Sequence, residues 1–281
     1  MERRAFRDGA ELSVLGLGGM VLLGMDQDAC GRIVADAIEA GVDYFDVAPQ
    51  YGDGEAEIKM GRALAPFRER AFLAGKTLAR DAAGAQQDLE LSLRRLRTDR
   101  FDLYQFHAVM KQSEVDRIFA AGGAAETMVR AREQGKIRFT GFSAHSPEAA
   151  LAMLELMPFD SILMPVNFVL HAKNAMWPRL LDRARDKGVA RLALKSLALR
   201  PWRRNEAHLY PNCWYRPIDD PELARQALRF TLGEAVSSLV PPGNEHLFRM
   251  ALGLAGSLTP LSPAERAALL SKARDLPPIL K

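Results

Sequence analysis

The sequence predicts an α/β protein of the (β/α)8 or TIM barrel class, one domain over residues 1–281 with an N-terminal β-hairpin and an extra C-terminal helix. Three observations predict it. Some eight short β-branched or aromatic runs alternate with stretches of helical period, no low-complexity linker or composition break interrupts them, and polar residues recur where successive strands end. Periodicity alone does not separate a closed ring from an open, doubly wound sheet, but 281 residues at 48% hydrophobic suit a barrel with a single core.

The elements follow in order. Residues 5–19 read as a hairpin with its turn at Asp8 and Gly9, running into a strand that ends at glycines. A helix over Asp28 to Ala40 precedes a buried strand from Val42, and the next helix opens among Asp53, Glu55 and Glu57, whose acids suit the positive helix terminus. Ala71 to Ala74 is a short strand, Leu89 to Leu96 helical, and Phe101 to His107 a strand. Gly135 stops a helix over Ala124 to Gln134, and Lys136 to Phe142 is again a strand. Ser146 and Pro147 cap the helix that follows, Ser161 to Val166 is extended, Trp177 to Lys187 helical, and Val189 to Leu194 extended. Asp220 and Pro221 open another helix, Ala235 to Val240 makes the last strand, and Ser262 with Glu265 forms a capping box on the final helix. Ser196 to Asp219 fits no repeat. A loop this long in a compact domain suggests function, and its aromatics, Trp202 and Trp214 foremost, suit a pocket wall better than Trp177, Met20 or Phe168.

Composition narrows the function classes. Thirty-eight basic against 35 acidic residues leave +3, too weak a bias for nucleic acid or a membrane surface. Cys30 and Cys213 lack the spacing of a zinc site or a disulfide framework, and no metal centre is expected. Met1 to Asp8 lacks a signal peptide's apolar core, and no run approaches the roughly 20 apolar residues of a membrane span, so a cytoplasmic protein is expected. Two motifs mislead. Gly16, Gly18 and Gly19 mimic a dinucleotide fingerprint whose third glycine would fall at Val21, and Gly75-Lys76-Thr77 mimics a phosphate loop whose first glycine would be Arg70.

The strand ends carry the chemistry. Asp46 and Tyr51 follow one strand, Lys76 closes the next, and His107 ends another; in a parallel barrel these ends meet at one mouth. A phenol beside an ammonium is drawn toward ionisation and becomes a usable proton donor near neutrality, so Lys76 is expected to tune Tyr51, Asp46 to hold Lys76, and His107 to orient a carbonyl.

Taken together, the segments Asp46 to Gly61, Gly75 to Thr77, Ser92 to His107, Gly135 to Ser146 and Gly188 to Leu197 resemble the aldo-keto reductase family over nearly the whole chain. The resemblance implies a (β/α)8 barrel that reduces a small aldehyde or ketone with NAD(P)H, Tyr51 being the general acid and Asp46, Lys76 and His107 its assistants. It also implies cofactor contacts at Gly19, Met20, Ser143, Asn167, Leu194, Lys195, Gly243, Asn244 and Arg249, with NADPH preferred to NADH, Lys195 or Arg249 reading a 2′-phosphate, and Ser143 with Asn167 holding the nicotinamide amide. The chain departs from the pattern at Ala144, Leu163, Leu194 and Met250. These thinned contacts motivate a second reading, a redox-neutral isomerase, epimerase or dehydratase with a tightly held nucleotide; a third is a non-catalytic binding barrel, since fold alone does not decide function. A monomer or small homo-oligomer without nucleic-acid or membrane partners is expected.

Overall fold

The computed structural model describes residues 1–280. In chain order its elements are β1 (Arg3–Ala5), β2 (Glu11–Ser13), β3 (Gly16–Gly18), α1 (Gln27–Glu39), β4 (Tyr44–Asp46), α2 (Glu55–Leu64), β5 (Phe72–Thr77), α3 (Ala82–Leu96), β6 (Phe101–Val109), α4 (Gln112–Phe119), α5 (Ala124–Glu133) and β7 (Ile137–Ala144). There follow α6 (Pro147–Leu156), β8 (Ser161–Pro165), α7 (Phe168–Lys173), α8 (Met176–Asp186), β9 (Ala190–Leu194), β10 (Ala198–Pro201), β11 (Tyr215–Pro217), α9 (Pro221–Gly233), β12 (Ser238–Val240), α10 (Glu245–Ala255) and α11 (Pro263–Lys272).

Eight strands pair in parallel in the order β3-β4-β5-β6-β7-β8-β9-β12. The ring closes by one bridge, Leu15 to Leu239, where the Leu239 N–H donates to the Val14 carbonyl at 3.0 Å. The expected barrel is therefore the observed one, with α11 as the extra C-terminal helix.

Side-chain alternation along each strand splits the interior into two layers. Phe45, Leu73, Phe142, Ile162 and Ala193 point outward into the large core shared with the helices. Tyr44, Ala74, Leu103, Phe139, Leu163 and Leu192 point inward and form a separate cluster. Gly16 makes room there: a Cβ on it would stand 2.4 Å from the Tyr44 ring. The N-terminal hairpin, turning through left-handed Asp8 and Gly9, closes one end of the ring, because Phe6 sits edge-on to Phe72 and Phe139 at 5.1 and 5.3 Å between centroids. Ser13 and Asp43 exchange two hydrogen bonds, 2.8 and 3.0 Å, that lock this hairpin to the residue leading into β4.

The predicted caps are formed: Ser146 accepts from Ala149 N–H, Asp220 from Leu223 N–H, and Ser262 and Glu265 complete the capping box. Two helices, α4 and α7, and the ribbon β10–β11 were not read from the sequence. Each is short, and the ribbon lies inside the stretch that looked like an irregular loop.

Candidate active site

A cavity of about 240 Å³, a little below the usual range for ligand pockets, opens at the carboxyl ends of the barrel strands. Asp46, Tyr51, Lys76 and His107 all line it. The opposite wall is built from Ser143, His145, Leu163, Leu194, Lys195, Trp214, Tyr215, Val240, Met20 and Gly243.

Lys76 is the buried centre of the first wall, 1% exposed, with its ammonium ion-paired to Asp46 and 3.3 Å from the Val47 carbonyl. The same carboxylate accepts from the Tyr44 hydroxyl at 3.1 Å and the Gln105 amide at 3.2 Å. Three donors thus converge on Asp46, as a buried carboxylate requires. Tyr44 and Gln105 escaped notice in the sequence, although each lies two residues before a predicted site residue and so on the same strand face. Burial alone would lower the lysine's pKa, but Asp46 and Tyr51 outweigh it and the ammonium persists above its ordinary range.

Tyr51 hangs on the loop between β4 and α2, which Gly52, Asp53 and Gly54 fold back through consecutive left-handed conformations. The Lys76 ammonium is 5.2 Å from the centroid of its ring, which stands edge-on to His107 at 5.8 Å. From the sequence, the ammonium is expected to draw the phenol toward ionisation. In the structure burial is the larger influence and the phenol's pKa rises, so Tyr51 is a fully protonated donor at neutral pH.

His107 is aimed by a break in the strand. Ala108 adopts φ +52°, the register against β7 shifts between Phe106 and Val109, and the Ala108 N–H donates to Ser143 Oγ at 2.8 Å. Arg80, paired with Glu114, donates to the His107 carbonyl at 2.7 Å. Burial first and Lys76 second push the imidazole pKa down to about 2, so the ring is neutral; its Nδ1 lies 3.2 Å from the Gln50 side-chain amide.

The second wall differs from the sequence reading in several places. Asn167 does not face the cavity: its oxygen caps α7 by accepting from Leu170 N–H at 2.8 Å, and its amide donates to the Lys195 and Ala198 carbonyls at 3.1 Å each. Asn244 caps α10 in the same way, 3.2 Å from Leu247 N, and its own N–H donates to the Pro242 carbonyl. Arg249 is on the outer surface, ion-paired to Asp36 and Glu245. Gly19 packs against Val47, and Gly18 lines the cavity in its place. Trp202 stacks on His208 at 4.4 Å between centroids and donates to the Cys213 carbonyl, outside the cavity, whereas Trp214 lines it. Trp177 and Phe168 are core residues. Met20, Ser143, Leu194, Lys195 and Gly243 do line the cavity.

The β10–β11 excursion is tied across this wall. Asn212 donates to the Met20 carbonyl at 3.4 Å, and the Cys213 thiol faces the Gly243 N–H. Met20 and Gly243 themselves touch so closely that a Cβ on the glycine would lie 2.4 Å from the Met20 Cβ. Sequence reasoning missed His145 and Asn212. His145 follows β7 directly, so the strand-end rule could have found it, whereas Asn212 belongs to no predicted strand end and only the fold brings it to the mouth.

The residues present fit the ring end of a nicotinamide cofactor. The Ser143 oxygen already accepts from Ala108 N–H, which leaves its hydroxyl proton to donate to a carboxamide, and Leu163, Leu194 and Val240 give an apolar bed for the ring.

Comparison with known proteins agrees with this geometry. The model of the Aldo/keto reductase family matches residues 14–213. An aldo-keto reductase, YhdN, of Bacillus subtilis is 31% identical over 215 residues, 70% of this chain and 62% of that protein. Methylglyoxal reductase YeaE of Escherichia coli is 40% identical over 112 residues, 38% of this chain and 36% of the relative. The matched stretch thus spans about three fifths or less of these relatives' length. The aldo-keto reductase AKR11C1 from Bacillus halodurans in its holo form superimposes with a TM-score of 0.76 at 26% identity, covering 97% of this chain and 96% of the other.

Proposed function

We propose, from the premise that this chain belongs to the aldo/keto reductase family, that it is an NAD(P)H-dependent oxidoreductase reducing an aldehyde or ketone to an alcohol, with Tyr51 as the proton donor. One observation carries the reading: a protonated phenol and a neutral imidazole share one cavity with a buried lysine whose counter-ion is already saturated. A bound reduced nicotinamide would supply the hydride. The Tyr51 hydroxyl gives its proton to the oxygen of the carbonyl as negative charge develops there, and the Lys76 ammonium then stabilises the phenolate left behind. Asp46 keeps that ammonium in place. Gln50 Oε1 stands 3.2 Å from His107 Nδ1; for His107 to orient the carbonyl oxygen with a proton on Nε2, that side-chain amide has to rotate so that its NH2 group faces Nδ1. Ser143, Leu163 and Leu194 would hold the nicotinamide end of the cofactor.

A relative whose name states methylglyoxal reduction supports a small carbonyl as substrate. NADPH rather than NADH is the cofactor we propose, although Arg249, being paired elsewhere, lends this no support. The test is to titrate NADPH and NADH by fluorescence, then add a panel of small aldehydes and ketones and follow loss of the reduced-nicotinamide absorbance. Turnover that vanishes in Tyr51→Phe while nucleotide still binds is the expected result. Full turnover by that variant would remove Tyr51 from the role, and tight nucleotide binding with no hydride loss to any carbonyl would favour redox-neutral chemistry instead.

A further inference from the structure

The second wall holds a cation with no counter-ion. Lys195 lines the cavity, yet among the described residues no carboxylate lies within ion-pair reach of it. Its ammonium rests instead over the faces of Trp214 and Tyr215, 5.1 and 4.8 Å from their centroids. Asp46 is the only acid in the cavity lining, and Lys76, Tyr44 and Gln105 already occupy it. The cavity therefore carries one uncompensated positive charge. Lys195 is half-buried, and aromatic faces alone return only part of the hydration that such a lysine gives up.

Two further observations mark the same spot. His145 Nε2 is sealed from solvent and has no hydrogen-bond partner, while its residue lines the cavity. Lys195 itself is held at φ +66°, a left-handed conformation uncommon for a side chain of this kind. Its carbonyl is gripped by the Ala198 N–H at 2.9 Å and by the Asn167 amide at 3.1 Å, so the strain is maintained by dedicated bonds. Asn167 is thus a positioning residue for the lysine.

We propose that Lys195 and His145 form an anion-binding subsite within the catalytic cavity, and that the preferred substrate is an aldehyde or ketone bearing a carboxylate at its far end. The proposal deepens the carbonyl-reductase reading and rests on it. Lys195 and His145 share the cavity with the reacting groups rather than the outer surface, and the lysine's charge is felt at both His107 and His145. The phosphates of a dinucleotide stand a ribose away from its nicotinamide, whereas a short oxo acid brings its carboxylate within one cavity's width of its carbonyl. Burial pushes the lysine's pKa down to about 8, as expected for an ammonium awaiting an anion.

The test compares 4-oxobutanoate with butanal. Wild type is expected to show a KM at least ~10-fold lower for the oxo acid, and Lys195→Met to lower the ratio of kcat/KM for the oxo acid over that for butanal by ~10–100-fold, a ratio in which any change common to both substrates cancels. His145→Leu should give a smaller rise, and Lys195→Arg should retain the preference if the methionine variant folds poorly. Independently of turnover, succinate should raise the melting temperature of the wild type and not of Lys195→Met. Equal KM values for the two aldehydes, or a Lys195→Met variant that keeps the oxo-acid preference while losing NADPH affinity, would overturn the subsite; the latter would assign the lysine to the cofactor's phosphates. Failure of wild type to reduce either aldehyde would sink the reductase reading, and the succinate shift would still decide the subsite.

Discussion

Two lysines face the same cavity from opposite walls, and they are built to opposite rules. Lys76 is sunk among Asp46, the Val47 carbonyl and Tyr51, with the carboxylate further secured by Tyr44 and Gln105. Lys195 sits on two aromatic faces with no anion beside it. In the first wall the lysine's charge is answered from within the chain, by a carboxylate that Tyr44 and Gln105 also hold. The second leaves the lysine's charge and the His145 Nε2 unanswered among mostly apolar neighbours. The difference teaches that proton transfer depends on parts that must never move, whereas recognition depends on a group left unsatisfied until a ligand arrives.

Breaking the first wall should give the largest effects. Tyr51→Phe removes the donor without disturbing the Lys76–Asp46 pair, so turnover is expected to fall by about 10²–10⁴-fold with NADPH affinity preserved, as steady-state kinetics and fluorescence titration would show. An unchanged kcat would place the acid elsewhere. Lys76→Met strands Asp46 with its charge buried, and urea unfolding should register a loss of about 3–5 kcal/mol. In the same assay Lys195→Met, which strands nothing, should cost little or even stabilise; equal losses at the two positions would erase the contrast.

The next test uses pH. Lys195 has a folded pKa of about 8, below the ~10.4 of an unfolded lysine. Between those values the unfolded chain holds the proton and the folded one does not, so stability should rise with pH across that window and level off above it. The charged or titratable neighbours of the lysine are His107, His145, Cys213 and Tyr215, and in Lys195→Met the rise should flatten while any slope from the thiol and phenol remains. The smallest effect should come from Arg249→Ala. Its partners Asp36 and Glu245 are exposed, so the loss should be about 1 kcal/mol or less, with the ratio of NADPH to NADH affinity unaltered.

Much of this was legible before any coordinates. Strands and helices announce themselves by period, and a barrel sends every strand end to one rim, so Asp46, Tyr51, Lys76 and His107 were found together from their places in the pattern. What stayed hidden is what period does not encode. Asn167, Asn244 and Arg249 have side chains apt for a nucleotide, yet each is spent on a cap or a surface pair, and nothing in the residue type says which. The left-handed turn at Ala108 that aims His107 has no glycine to betray it. Trp202 and Trp214 are indistinguishable in the sequence until the β10–β11 ribbon sets Trp214, half exposed, on the rim of the cavity and leaves Trp202 stacked on His208.

Phe6, wedged between Phe72 and Phe139, stops the ring at the end away from the cavity. Traffic therefore has a single doorway. The packed layer of Tyr44, Leu103 and Leu192 seals the same end from within, so if a cofactor and a substrate share this blind chamber, the one lodged deeper has to arrive first and depart last.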